Sequence, residues 1–237
     1  MTEAMLYYAN ERFEAVIEVL LRLPESLRPT RFRRDEGVPK SKDVVSDVPR
    51  FRAFLDKGLN GAFLYAERTI YGFANAGPSE FYVYILDLDA QDASILMRDL
   101  GGLGVSFGYA ADIAERHHRN RLVKSASYGT DEAWVGRNWH RYLPGLYWLT
   151  ILPASLAKQH EVPLEILKRA ALAVEELAPG VWLLKFFESP EHWLAHSGKL
   201  DRLCEETQGL FSISRVRPAF EEAKTFLETA EVLRAWR

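Results

Sequence analysis

Residues 61–89 read GAFLYAERTIYGFANAGPSEFYVYILDLD. Three short runs within them, 62–65, 69–73 and 81–88, are rich in aromatic and aliphatic residues. Turn-forming residues separate them, Asn75, Gly77 and Pro78 among them. Short β-rich runs with tight punctuation predict an antiparallel meander. Upstream, Phe13, Val16, Ile17, Leu20 and Leu21 recur at helical spacing within 10–23, and Pro24 stops that helix. The segment 31–47 is polar and charged, carries Gly37 and Pro39, and reads as an exposed loop. Asp47 then caps a helix that runs through Leu55 and closes at Gly58.

Downstream, a short helix is expected over 90–99, broken by the glycine-rich LGGLGVSFGY. Helical spacing resumes in AADIAERHHRNRLV and is extended to Leu122. Residues 125–137 favour neither state. The stretch RYLPGLYWLTILPASLAKQH, residues 141–160, predicts a strand over 145–152 with a sharp entry at Pro144 and Gly145, then a helix over 154–160. Tyr147 and Trp148 would point to opposite faces of that strand. Pro163 opens a further helix to Leu172, and 173–177 with 181–187 form a hairpin about Pro179 and Gly180. A helical stretch from 189 breaks at Gly198. One amphipathic helix closes the chain over 218–237, with Phe220, Ala223, Phe226, Leu227, Ala230 and Leu233 on its apolar stripe. Helices and antiparallel strands mix in both halves, without the regular strand–helix alternation of a parallel sheet. The expected fold is α+β, with helices packed on an antiparallel sheet. It forms a single domain over 1–237, or two similar lobes of about 1–125 and 126–237 that share one core.

The 237 residues carry 30 Lys and Arg against 33 Asp and Glu, a net charge of −3. That balance argues against a dedicated nucleic-acid binder, whose domain is usually basic. The first residues lack a basic region followed by an apolar one, and no uncharged run reaches membrane-spanning length. A soluble, cytosolic protein is expected. The single Cys204 leaves no internal disulfide and no cysteine-built zinc site.

Several motifs carry chemistry. Gly104-Val-Ser106-Phe-Gly108 fits the G-x-S-x-G nucleophile elbow of serine hydrolases, with Asp131 and His140 following in the order a triad needs. Its lead-in, MRDLGGL, is charged and glycine-rich where the elbow needs a buried strand, so a glycine loop is the favoured reading and the α/β-hydrolase the alternative. Glu115 and His118 have the spacing of a di-iron ligand pair, but no second Glu-x-x-His exists. Asp112 with Arg116 and Glu115 with Arg119 are instead expected to pair on a solvated helix face. His192 and His196 are four apart, without an evident third metal ligand. Cys204 reads as a buried thiol, and the basic run Arg31-Phe-Arg-Arg34, answered by Asp35 and Glu36, as a solvated loop. There is no P-loop, no G-x-G-x-x-G and no H-E-x-x-H, so neither a cofactor nor a metal is expected.

The segments around Leu-Pro-Gly-Leu-Tyr-Trp at 143–148, Gly180 to Phe187, His192-Trp193 and Gly209-Leu-Phe211 resemble immunity protein family 52, from polymorphic toxin and type VI secretion systems. The resemblance covers the C-terminal two-fifths well and the rest loosely. It implies a non-enzymatic cytoplasmic protein that binds and neutralises a cognate toxin encoded beside it, a nuclease effector of restriction-endonuclease fold acting on DNA. Such an inhibitor would meet a basic cleft with carboxylates and aromatic anchors. Acidic pairs stand at Asp35-Glu36, Asp131-Glu132, Glu175-Glu176 and Glu205-Glu206, with Glu161 alone. The expected partner-binding residues are Asp131, Glu132, Trp134 and His140, which lie together in a segment without core periodicity.

Overall fold

The computed structural model describes residues 1–35, 37–126 and 129–236. The expectations for Glu36, for residues 127 and 128, and for Arg237 fall outside them. The chain forms strand β1 (Thr2–Ala9), helix α1 (Phe13–Arg22), β2 (Arg31–Arg34), α2 (Val48–Leu55), β3 (Ala62–Tyr65), β4 (Ile70–Gly77) and β5 (Glu80–Leu88). Then come α3 (Ala90–Gly101), β6 (Phe107–Asp112), α4 (Ile113–Asn120), β7 (Arg121–Ala126), β8 (Gly129–Trp134) and β9 (Leu149–Pro153). They are followed by α5 (Ala154–Gln159), α6 (Leu164–Ala170), β10 (Ala173–Ala178), β11 (Val181–Lys185), α7 (Trp193–Glu206), α8 (Arg217–Glu222) and α9 (Phe226–Arg234). The fold is α+β around a large antiparallel sheet, as expected.

Two compact units interleave along the chain. Unit 1 takes Met1–Ala110, Leu149–Pro153 and Val174–Leu184; unit 2 takes Ala111–Trp148, Ala154–Ala173 and Lys185–Arg237.

Unit 1 is built on the nine-stranded sheet, in the order β10-β11-β9-β6-β1-β5-β4-β3-β2. The meander read from residues 61–89 is present as β3, β4 and β5, in antiparallel register. The N-terminal strand β1, with no assignment in the sequence reading, lies at the centre between β5 and β6. Seven of its eight residues are buried, so it shows no alternation of polar and apolar positions to mark it as a strand. Helix α3 covers it, with the Tyr8 hydroxyl donating to the Leu100 carbonyl at 3.0 Å, and α1 packs beside α3 with Val16, Ile17 and Leu20 buried. Phe13 meets Phe73 and Phe81 edge-on, each with ring centroids 5.9 Å apart.

Two loops of the sequence reading are strands in unit 1. Residues 31–34 form edge strand β2 because Phe32 is buried against Phe51 and Phe54 of α2, with centroids 5.3 and 4.6 Å away, and its backbone completes β3. The glycine loop at 100–109 ends in β6. Its residues 107–111 are all buried, and Tyr109 pairs with Thr150 of β9.

Unit 2 holds the hairpin β7–β8, its own two-stranded sheet, in the segment that favoured neither state. Leu122 therefore belongs to β7, and α4 ends at Asn120. Leu122 and Ala133 face Tyr142, Phe211, Val216, Phe220 and Leu233 in one apolar cluster. The strand expected over 145–152 begins only at Leu149. Before it, Leu143 bonds instead to the backbone of Gly209 and Phe211, at 3.0 and 2.8 Å. Gly209 has φ +82°, and a Cβ there would lie 2.0 Å from the His160 carbonyl oxygen, so only glycine fits. Helix α7 runs unbroken through Gly198, whose open surroundings impose no turn, while Leu200 and Cys204 anchor it inward.

The single closing helix is instead two. Thr225 caps α9 by accepting from Glu228 N–H, and the Glu228 carboxylate accepts from the Thr225 N–H, a capping box that starts a new helix. Phe226 and Leu227 are consequently exposed rather than part of a buried stripe. Among the described residues no helix is long and apolar enough to cross a membrane.

Candidate functional site

The chemically dense part of unit 2 is built on α4 and α7. Asp112 caps α4 by accepting from Ala114 N–H at 2.8 Å. One turn apart on that helix, Glu115 and Arg119 form the ion pair expected from their spacing, at 3.1 Å. Its setting differs from the expectation of a solvated face, because the Glu115 side chain is fully buried and that of Arg119 nearly so. The apolar surroundings come from 143–148 folding over the helix. Trp148 N–H donates to the Glu115 carboxylate at 3.3 Å, and the Trp148 indole donates to the Phe187 carbonyl at 2.9 Å. Asn120, also buried, accepts from the Tyr147 hydroxyl and donates to the Val135 carbonyl, both at 2.8 Å.

Asp201 of α7 completes the network. It accepts from Arg119 and lies 2.9 Å from His118 Nε2. Burial raises the Glu115 carboxyl well above its usual range, and the neighbouring Arg119 only partly offsets it. Asp201 keeps a depressed pKa, since the His118 hydrogen bond and the Arg119 charge outweigh its own burial. Arg119 Nη2 has no hydrogen-bond partner among the described residues. Cys204 is buried beside this network, and burial pushes its thiol up to about 11. A thiol-reactive aromatic disulfide at pH 8 is therefore expected to leave Cys204 unlabelled in the folded protein and to label it fully in denaturant. Fast native labelling would contradict the burial.

The network opens on a cleft of about 500 Å³, where Asp201, Glu205, Glu221 and Glu222 face Arg217 and His118. Carboxylates dominate its wall, and Ser212 and Ser214 share a 2.8 Å hydrogen bond along it.

The four residues expected to touch a partner divide across the β7–β8 hairpin. Asp131 faces inward, where it accepts from the Thr229 hydroxyl at 3.2 Å and lies 3.9 Å from Lys124. Glu132 and Trp134 share the outward face. Glu132 holds Arg121 through two 3.0 Å bonds, which keep its carboxyl below the usual range. Two cations flank Trp134: the guanidinium carbons of Arg116 and Arg137 lie 4.5 and 5.5 Å from its ring, and the His117 ring meets it edge-on at 5.4 Å. His140 lies in the loop beyond, its ring 3.8 Å from that of Trp139. Glu205 of this cleft stands in one of the acidic pairs read in the sequence; Asp201, Glu221 and Glu222 were not marked, because no spacing shows that α7 and α8 bring them together.

Lys124 fixes the hairpin to the C-terminal helices. Its ammonium donates to the Phe220 and Ala223 carbonyls and to the Thr229 hydroxyl at 2.6–3.0 Å, at the carboxyl end of α8. Lys124→Met should cost about 2 kcal/mol, since it strands acceptors on the buried Phe220 and Thr229. Thermal unfolding should then shift down by roughly 4–8 °C.

Ser106 has α3 before it and β6 after it. That is the reverse of the strand–turn–helix order of a nucleophile elbow. His196 stacks on Phe187, centroids 5.2 Å apart. Among the described residues no group of His, Cys, Asp and Glu could hold a metal ion.

No protein family matches the chain, and no curated protein matches it. Among solved structures, a Pseudomonas aeruginosa protein described as T6SS protein PA0821 has a similar fold. The two share 12% identity with a TM-score of 0.50, over 100% of this chain and 73% of the other.

Proposed function

We propose that this chain is an immunity protein of a type VI secretion system. It binds and neutralises a cognate nuclease-type toxin by stoichiometric inhibition in the cytoplasm, and it catalyses no reaction. The observation that carries the reading is the fold likeness to a T6SS protein over the full length of this chain. The carboxylate-lined cleft of unit 2 fits an inhibitor of a nuclease, whose DNA-binding surface is basic. The outward hairpin face, where two cations flank Trp134, fits such a partner less well.

The test is co-expression with the product of the neighbouring gene. Growth rescue and a one-to-one complex are expected. Glu221→Lys with Glu222→Lys should slow association at least about tenfold at low salt, with a smaller effect at high salt. Absence of both rescue and complex would overturn the function. Rescue that survives the double reversal but is lost on Trp134→Ala would move the contact surface to the hairpin.

A further inference from the structure

The second large cleft lies in unit 1, beside β2 and α2, and encloses about 560 Å³. Among the described residues, its wall carries Arg33, Arg34, Lys40, Arg50 and Lys57 against one carboxylate, Asp43. Such a concentration of cations stands out in a chain whose net charge is −3. We propose that this cleft binds a phosphate-bearing anion, a function separate from toxin neutralisation.

Three features carry the proposal. First, the guanidiniums are held in place by the protein itself. Arg34 donates to the carbonyls of Asn60, Phe54 and Gly58, and Arg33 to those of Arg34 and Val38. Arg50 uses Nε and Nη2 on a single oxygen of Asp43, at 3.2 and 2.7 Å. Positioned cations bind an anion with less ordering cost than free side chains. Second, among the described residues those bonds leave Arg33 Nη2 and Arg50 Nη1 uncommitted. The Lys40 and Lys57 ammoniums make no hydrogen bond and no ion pair within 4 Å among the described residues. Third, the charge is dense. Cations from a strand, a loop and a helix converge on one cleft, which favours an anion that concentrates several charges in a small volume. Vicinal phosphates do so; an acidic peptide spreads its carboxylates along an extended chain. Phe32 and Phe54 are buried beneath the cleft and hold its walls apart.

The ligand chemistry is that of linked phosphates on one small molecule; a nucleic-acid backbone, whose single charges lie a nucleotide apart, is the other source the test separates. Calorimetric titration of the full chain with inorganic pyrophosphate tests it, against the Lys40→Ala, Lys57→Ala double variant. Both lysines are exposed, and matching melting curves would establish that the variant folds. One-to-one binding is expected, weakened at least about tenfold in the variant and falling with added salt. A fluorescein-labelled single-stranded oligonucleotide, followed by anisotropy, separates the sources. Binding that pyrophosphate competes away would identify a nucleic-acid backbone; pyrophosphate binding without oligonucleotide binding would identify a small phosphorylated ligand. The proposal is overturned by no pyrophosphate binding, by binding unchanged in the variant, or by tighter binding of a polyglutamate peptide at the same lysines.

Discussion

Glu115→Ala should lower the unfolding free energy by about 3–5 kcal/mol, because it leaves the Arg119 guanidinium buried without its main counter-charge. For a chain of this length, that corresponds to a fall in melting temperature of roughly 6–20 °C. Paired replacement, Glu115→Leu with Arg119→Met, should recover most of the loss, since apolar side chains of similar volume need no compensation there. Urea unfolding of the three variants distinguishes a buried pair from a surface one, for which the single change would cost under about 1 kcal/mol. The same residue gives a pH signature. Its folded pKa lies at about 7, above the ordinary 4.5, so the folded protein retains a proton that the unfolded chain releases. The associated stability is fully present below pH 4.5 and is lost as pH rises toward 7. Relative to Glu115→Gln, the parent protein should therefore lose stability across that window. A difference that is flat with pH would refute the raised pKa.

Trp148→Ala should be comparably severe, at about 3–5 kcal/mol. Its ring is among the largest fully buried side chains. Removing it opens a cavity and strands the Phe187 carbonyl that the indole satisfies. Trp148→Phe keeps much of the volume but loses the donor, and should fall between the parent and the alanine variant.

Local chemistry was legible wherever it sufficed to set the structure. The β3–β5 meander is punctuated by its own turn residues, and Asp47 caps α2 as its position implied. The Glu115–Arg119 pair follows from helical spacing alone. What the sequence did not display depends on distant partners. β1 and β6 are buried almost throughout, so they lack the alternation that marks a half-exposed strand. The burial of Glu115 comes from residues 143–148, far along the chain. The opposed faces of Asp131 and Glu132 follow from a hairpin that residues 125–137 did not announce. The break at Thr225 was present as Thr-x-x-Glu, but the apolar spacing across it masked the cap.

The interleaving of the two units also has a consequence in time. β6 emerges from the ribosome before β9 and β11, which complete the sheet beyond it. At about 5–20 residues per second, the passage from β6 to β9 lasts on the order of 2–8 s. Throughout that interval, one edge of a strand destined for burial waits without a partner. Slower synthesis prolongs this vulnerable state, and an unpaired apolar edge invites pairing between chains. The yield of properly folded protein should thus be limited by the delivery of β9 rather than by the final stability of the sheet.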